Sequence, residues 1–353
     1  MKKYIFKVIS AVVACVLICS SFASCSDPLK STAEEKEIVM TVGDYEVPYE
    51  LYRYMVLNYK SRMTSDESDR NDPEKAAESA AEIDAAIEED LKDFYAVFAL
   101  ADENGVGTDN EAIQAAVDAA VKDTRNGYES DEAYVADLAT GYLNHSVYEL
   151  LTANSVCSEE LFYALINKGK LNNDEEHLRR VVYGDEFIRV KQILVVGESS
   201  SKVSEGTVYI PEETHTDEEA AQIAEEAMKK AKAGEDFDSL VAEYGESFYM
   251  FGNKDGYYLC RGEWDAVNED AVFALEIGQV SDVVKSDAGY SVFVRCEKEE
   301  GYMEAHYDEL CEKYLNGQYS LMLSEASENL TVTKTEIGKA LSVLDIKWED
   351  DEE

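Results

Sequence analysis

The run RGEWDAVNEDAVFALEIGQVSDVVKSDAGYSVFVR, Arg261 to Arg295, constrains the fold more than any other stretch of this chain. It opens on an Arg261-Gly262 turn and passes into a short acidic helix, Asn268–Leu275, that ends Phe273-Ala274-Leu275. Gly278-Gln279-Val280-Ser281 turns the chain again, and Gly289-Tyr290 leads a final strand to Cys296. Upstream, Phe187–Val196 alternates as a strand does, with Ile188, Val190, Gln192 and Leu194 on one face. Gly197–Thr216 reads as a polar loop. Asp217–Lys232 has the helical stripe Ala220, Ile223, Ala224, Ala227, Met228 and Ala231. Ala233–Asp236 turns into a second helical face of Phe237, Leu240, Val241 and Tyr244, and Tyr257–Cys260 is a short strand. Asp185–Glu299 is therefore one unit of strands and helices.

The sequence on either side of this unit is helical. Glu37–Val42 and Tyr45–Val47 form a hairpin about Gly43-Asp44, and Val47–Met63 is a helix with Pro48 in its first turn and Leu51, Tyr54, Met55 and Asn58 on one face. Thr64–Glu74 is a solvated acidic loop. Ala76–Glu103 is a long helix bearing Leu91, Phe94, Tyr95, Phe98 and Ala99. Gly105 to Gly107 ends it, and Thr108-Asp109-Asn110 caps the helix Glu111–Thr124. A helix starts at Ser130-Asp131, and Asn144–Thr152 and Ser158–Asn167 read as two more. After Glu300 the stripe Met303, Tyr307, Leu310, Cys311, Tyr314 and Leu315 is helical, with Gly317 a weak point. These aromatic stripes read as core, with part of the 23 tyrosines free to line an adaptable peptide-holding cleft.

In order and spacing, Arg261-Gly262, Glu269–Leu275, Gly278–Ser281 and Gly289-Tyr290 resemble the second half of a parvulin-type (PpiC-like) peptidyl-prolyl isomerase domain. Ala231–Ser247, AKAGEDFDSLVAEYGES, is similar to its first half. The hairpin-and-helix start, and Asn104–Glu111 after Ala99-Leu100-Ala101-Asp102, resemble the PrsA/SurA foldase families. The resemblance implies an α+β fold: a mainly helical chaperone lobe, similar to the SurA N-terminal region, with an inserted parvulin-like domain made of a small antiparallel sheet packed by helices. The implied division is a lobe of residues 37–180 completed by 302–346, a parvulin-like domain at 185–299 in the order βα₃βαβ₂, and an acidic tail at 347–353.

The formal charge is −43. Such a surface stays soluble and repels nucleic acid, which is excluded as a partner. Lys2, Lys3 and Lys7 followed by the short apolar run Val8–Cys19 read as a secretory signal over residues 1–24. Phe22-Ala23-Ser24-Cys25 resembles a bacterial lipobox, with Cys25 the residue that takes the lipid; the alternative is an ordinary signal with a cysteine nearby. A lipid on Cys25 would hold the protein at the extracytoplasmic face of a membrane without spanning it, with residues 25–36 as tether. The remaining cysteines, Cys157, Cys260, Cys296 and Cys311, show no CxxC and no disulfide framework, and read as free, mostly buried thiols. No metal or cofactor motif is present: His145, His177, His215 and His306 are scattered.

What the resemblance implies for chemistry is carried by substituted positions. Gln192 and Ser291 stand where the family has two histidines, Trp264 where it has a pocket methionine, and Asn268 where it has a pocket phenylalanine. The family's acid or thiol falls at Glu246 or Ser247. Gln192 and Ser291 can hydrogen-bond each other but cannot ionise near neutral pH. Trp264 supplies apolar surface; Asn268 removes an aromatic wall. The implied function is a foldase for unfolded exported polypeptides with weak or altered isomerase activity. A non-catalytic holdase of the same architecture, and a lipoprotein adaptor for a folded membrane partner, stay open.

Overall fold

A computed structural model describes residues 27–63, 73–200, 215–247, 249–250 and 253–347. The signal segment, Cys25, the Thr64–Glu74 loop up to residue 72, the 201–214 part of the polar loop and the tail from Trp348 lie outside them.

Gly43 adopts φ +56°, a backbone that disfavours any side chain, and so closes the hairpin of β1 (Ile38–Val42) and β2 (Tyr45–Pro48). Pro48 ends β2, and the first helix, α1 (Tyr49–Met63), starts one residue beyond it. α2 (Pro73–Glu103) buries Ile83, Ile87, Leu91, Tyr95 and Phe98 at helical spacing. Gly105, at φ +75°, turns the chain out of α2, with the Val106 N–H returning to the Ala101 carbonyl at 2.9 Å. α3 (Glu111–Arg125) is capped by Asn110, whose side chain accepts from the Ala112 N–H, and α4 (Asp131–Thr140) by Ser130.

The two helices expected over 144–152 and 158–167 are one, α5 (His145–Asn167). Ser158 does not cap a helix there; its hydroxyl bonds the Tyr319 hydroxyl at 2.9 Å. Asn154 reaches across to the Phe94 carbonyl at 2.7 Å, and Ala153 and Cys157 are buried, so the seam is packed against α2 rather than broken. α6 (Glu175–Tyr183) follows, its Leu178, Val181 and Val182 buried.

The inner unit runs β3 (Ile188–Val195), α7 (Asp217–Lys232), α8 (Phe237–Tyr244), β4 (Tyr257–Leu259), α9 (Ala266–Phe273), β5 (Val284–Ser286) and β6 (Gly289–Cys296). Its strands form one antiparallel sheet ordered β4-β3-β6-β5. One face, through Ile193, Val195 and Val292, packs on the alanine stripe of α7 and on Leu240 of α8. The other, through Ile188, Val190, Leu259 and Phe293, packs on Val272 and Leu275. Covered on both faces, β3 is buried along nearly its whole length, Lys191 excepted.

Past the sheet come α10 (Glu300–Ala305), α11 (Tyr307–Glu328), β7 (Val332–Lys334) and α12 (Glu336–Ala340). β7 pairs antiparallel with β1 to give a β2-β1-β7 sheet, Thr41 opposite Thr333. α11 lies along α2, where the Ser327 hydroxyl donates to Asp93 Oδ1 at 2.5 Å, and Val343 and Ile346 close the large core around α2. A fourth apolar cluster joins the parts: Phe187, Tyr258 and Cys260 of the inner unit pack with Leu178, Val181, Val182, Met303, Leu310 and Cys311. Part of the segment read as a tether is docked, since the Ser31 hydroxyl donates to Glu50 Oε2 at 2.5 Å. Cys157, Cys260, Cys296 and Cys311 are free thiols, three of them buried. Among the described residues no helix is long and apolar enough to cross a membrane.

Candidate functional site

Strand alternation and antiparallel register decide which side chains meet. On β3, Gln192 sits opposite Phe293, and Leu194 opposite Ser291. Val190 sits opposite Tyr257 of β4, and Val284 of β5 opposite Ser291. Gln192, Ser291, Phe293, Tyr257 and Val284 therefore share the sheet face that α9 covers. Gln192 Nε2–H donates to Ser291 Oγ at 2.9 Å, with Ser291 fully buried. The pair lies on the floor of the site, and neither member carries a charge.

Trp264 stands above this floor. Its ring meets Tyr257 edge-on at 4.9 Å and lies 5.8 Å from Phe293; Tyr257 in turn stacks on Tyr249 at 4.3 Å. Asn268 is on α9, capped by Asp265, which accepts from the Asn268 N–H. Asn268 Nδ2 donates to Asp265 Oδ2 at 2.7 Å and to Ser286 Oγ at 3.2 Å. A carboxylate cannot donate, so this fixes which end of the amide faces Asp265. Asn268 Oδ1 is left buried with no partner.

Of the two residues in place of the acid or thiol, Ser247 faces the aromatic cluster, its hydroxyl 3.3 Å from the Tyr257 hydroxyl. Glu246 turns to the end of β3, where Oε2 accepts from the Val196 N–H at 2.6 Å and Oε1 lies 3.2 Å from His215 Nε2. Burial holds the Glu246 carboxyl above its ordinary range, and it likewise raises the Tyr257 hydroxyl. The four expected positions, Gln192, Trp264, Asn268 and Ser291, thus lie on one sheet face and its covering segment. Sequence reasoning missed Tyr249, Tyr257, Phe293 and Ser286, which complete it. Phe293 was readable in principle, because it shares the strand parity of Ser291 on β6, whereas Tyr257 is placed only by the register of β4 against β3. Among the described residues no three His, Cys, Asp or Glu side chains gather in a way that could hold a metal ion.

Residues 207–297 match the family described as Rotamase, PPIC-type PPIASE domain. Over those residues the inner unit is similar to a rotamase domain of the PPIC type. Foldase protein PrsA of Bacillus subtilis (strain 168) is 37% identical over 82 residues, 23% of this chain and 28% of that protein. Chaperone SurA of Hydrogenovibrio crunogenus is 29% identical over 104 residues, 29% of this chain and 23% of its own. The chain thus spans only about a quarter of the length of these relatives. The crystal structure of foldase protein PrsA from Streptococcus pneumoniae aligns over 82% of this chain and 94% of its own at 18% identity, with a TM-score of 0.33, a score from which no shared whole-chain arrangement follows.

Proposed function

We propose that this chain is an extracytoplasmic foldase that holds unfolded exported polypeptides on its helical lobe, residues 37–180 with 302–346. Its rotamase domain, residues 185–299, presents substituted catalytic positions, and a lipid on Cys25 anchors the protein to the membrane. Prolyl isomerisation makes no covalent bond; its barrier is about 18–20 kcal/mol. A catalyst lowers it by favouring the twisted amide over the planar one. The observation that carries the reading is the floor of the site: the buried Gln192–Ser291 hydrogen bond beneath the rings of Trp264, Tyr257 and Phe293. Trp264 and Tyr257 are partly exposed, Phe293 is buried behind them, and aromatic surface of this kind can hold an extended peptide, whereas a neutral, mutually satisfied amide–hydroxyl pair gives weak electrostatic help to a twisting amide. Asn268, which puts an amide in place of an aromatic wall, favours a second reading in which the domain binds peptide without catalysis.

Two assays on the full chain decide. A protease-coupled assay on an X-Pro peptide should give a rate at least about tenfold below that of a histidine-bearing parvulin, the equivalent of ~1.4 kcal/mol of lost transition-state stabilisation. Suppression of aggregation of several unrelated unfolded proteins should persist. Absence of any suppression would overturn the foldase reading in favour of an adaptor for one folded partner.

A further inference from the structure

The five residues Cys260–Trp264 connect β4 to the segment that covers the site, and they are gripped from two sides. On the inner side, Glu269 of α9 is 3% exposed and its Oε1 accepts the N–H groups of Gly262, Glu263 and Trp264 at 2.7, 2.9 and 3.0 Å. On the outer side is α11, which belongs to the helical lobe. Lys313 Nζ donates to the Tyr258 carbonyl at 3.0 Å and to Glu263 Oε2 at 2.8 Å. One turn further along, Gly317 meets Gly262 backbone to backbone. A Cβ on Gly262 would stand 2.1 Å from the Gly317 carbonyl oxygen, and one on Gly317 would stand 2.5 Å from the Arg261 carbonyl oxygen. Gly262 also has φ +92°. A glycine inside a helix weakens it; here both glycines are required for contact between two main chains.

We propose that α11 positions the Trp264 loop, with Lys313 and Gly317 as positioning residues, so that the peptide site is complete only when the helical lobe is docked. This rests on the reading of that sheet face as a peptide site. Trp264 is the last of the gripped residues, and its ring stands against Tyr257 and Phe293. A displacement of α11, such as a polypeptide held by the lobe would impose, carries Lys313 and the Gly317 carbonyl with it and moves the indole over the floor. The two halves of the molecule are then coupled through one helix.

The test uses the full chain in a Trp348→Phe background, which leaves Trp264 as the sole tryptophan of the two. Trp264 emission and acrylamide quenching are measured together with binding of a fluorescein-labelled Ala-Ala-Pro-Phe peptide. The variants are Lys313→Met, Lys313→Arg and Gly317→Val, with Lys229→Met on α7, an exposed ion pair, as control. Lys313→Met and Gly317→Val are expected to shift the emission to the red, to increase quenching and to weaken peptide binding about tenfold, the scale of a misplacement near 1 Å or less. Lys313→Arg, which keeps a donor, should restore most of both signals, and Lys229→Met should change neither. Unchanged emission and quenching in both α11 variants would overturn the proposal. So would altered quenching with peptide binding at the wild-type level. If Gly317→Val does not fold, Lys313→Met decides alone. A wild-type chain that binds no peptide removes the peptide-site reading, while the quenching still decides whether α11 sets the indole.

Discussion

Glu269 is the residue whose removal should be felt most directly. It sits in a short acidic helix, and its carboxylate is buried and accepts three main-chain N–H groups from consecutive residues of the Trp264 loop. Arg261, 4.0 Å from its other oxygen, is the nearest cation and is half exposed. A hydrogen bond to a charged group contributes about 1.5–3 kcal/mol, and a buried donor left unsatisfied costs about 1–3 kcal/mol. The three donors share one oxygen, so the contributions do not add in full. Glu269→Ala should then destabilise by about 3–5 kcal/mol, the range reached when a buried network is broken. Glu269→Gln keeps a carbonyl oxygen in place and loses only the charge, which should cost about 1–2 kcal/mol. Urea unfolding followed by Trp264 emission reads both as a shift in midpoint at constant slope. A cost below about 1 kcal/mol for Glu269→Ala would refute the reasoning, since it would mean that water or a relaxed loop satisfies the Gly262, Glu263 and Trp264 N–H groups equally well.

Three further outcomes are expected. The combined change Gln192→His, Asn268→Phe, Ser291→His should raise the X-Pro isomerisation rate in the protease-coupled assay, whereas single changes do little, because groups that act as a unit are non-additive; a triple variant no faster than wild type would count against these positions as the substituted ones. Burial raises the Glu246 carboxyl in the folded chain above its ordinary 4.5, so the folded state takes up its proton more readily than the unfolded one. That contribution is full below the unfolded value and is lost as pH rises through the folded one. Glu246→Gln should therefore flatten the fall in thermal stability across that window, and parallel pH profiles would refute it. Metabolic labelling with a fatty acid should mark wild type and miss Cys25→Ala; equal labelling of both would remove the lipid anchor.

What the sequence made legible, and what it hid, follows from the range of each signal. The helices α7 and α8 and strands β3 and β6 carry a repeating apolar period, and each stands within a residue or two of where that period puts it. β5 and β7 have three residues each and no period to read; their positions are fixed by partners far away, β7 by β1 and β5 by Ser291 and Tyr290 of β6. Within the returning segment only the helical stripe was visible, although Thr335 caps α12 and also anchors β1 by donating to the Ile38 carbonyl at 2.8 Å. α5 was divided because Thr152–Ser158 is rich in small polar residues that favour caps and turns; tertiary bonds from Asn154 and Ser158 keep it continuous.

The site shows the same division. Strand parity alone put Gln192 on the correct face, and Ser291 follows from it once the register is known. Glu269 was read only as part of a short acidic helix and Gly317 only as a weak helix position, and neither reading reached the residue's partner, for one reason. Each residue serves a main chain that arrives from elsewhere: Glu269 the N–H groups of the Trp264 loop, Gly317 the carbonyl of Arg261. A side chain that satisfies its own helix leaves a trace in the spacing of its neighbours. One that satisfies another segment's backbone leaves none in its own helix, because the groups it serves lie elsewhere in the chain. The loop that frames the candidate site is held by contacts of this second kind on both sides, so its geometry could be found only in the folded chain.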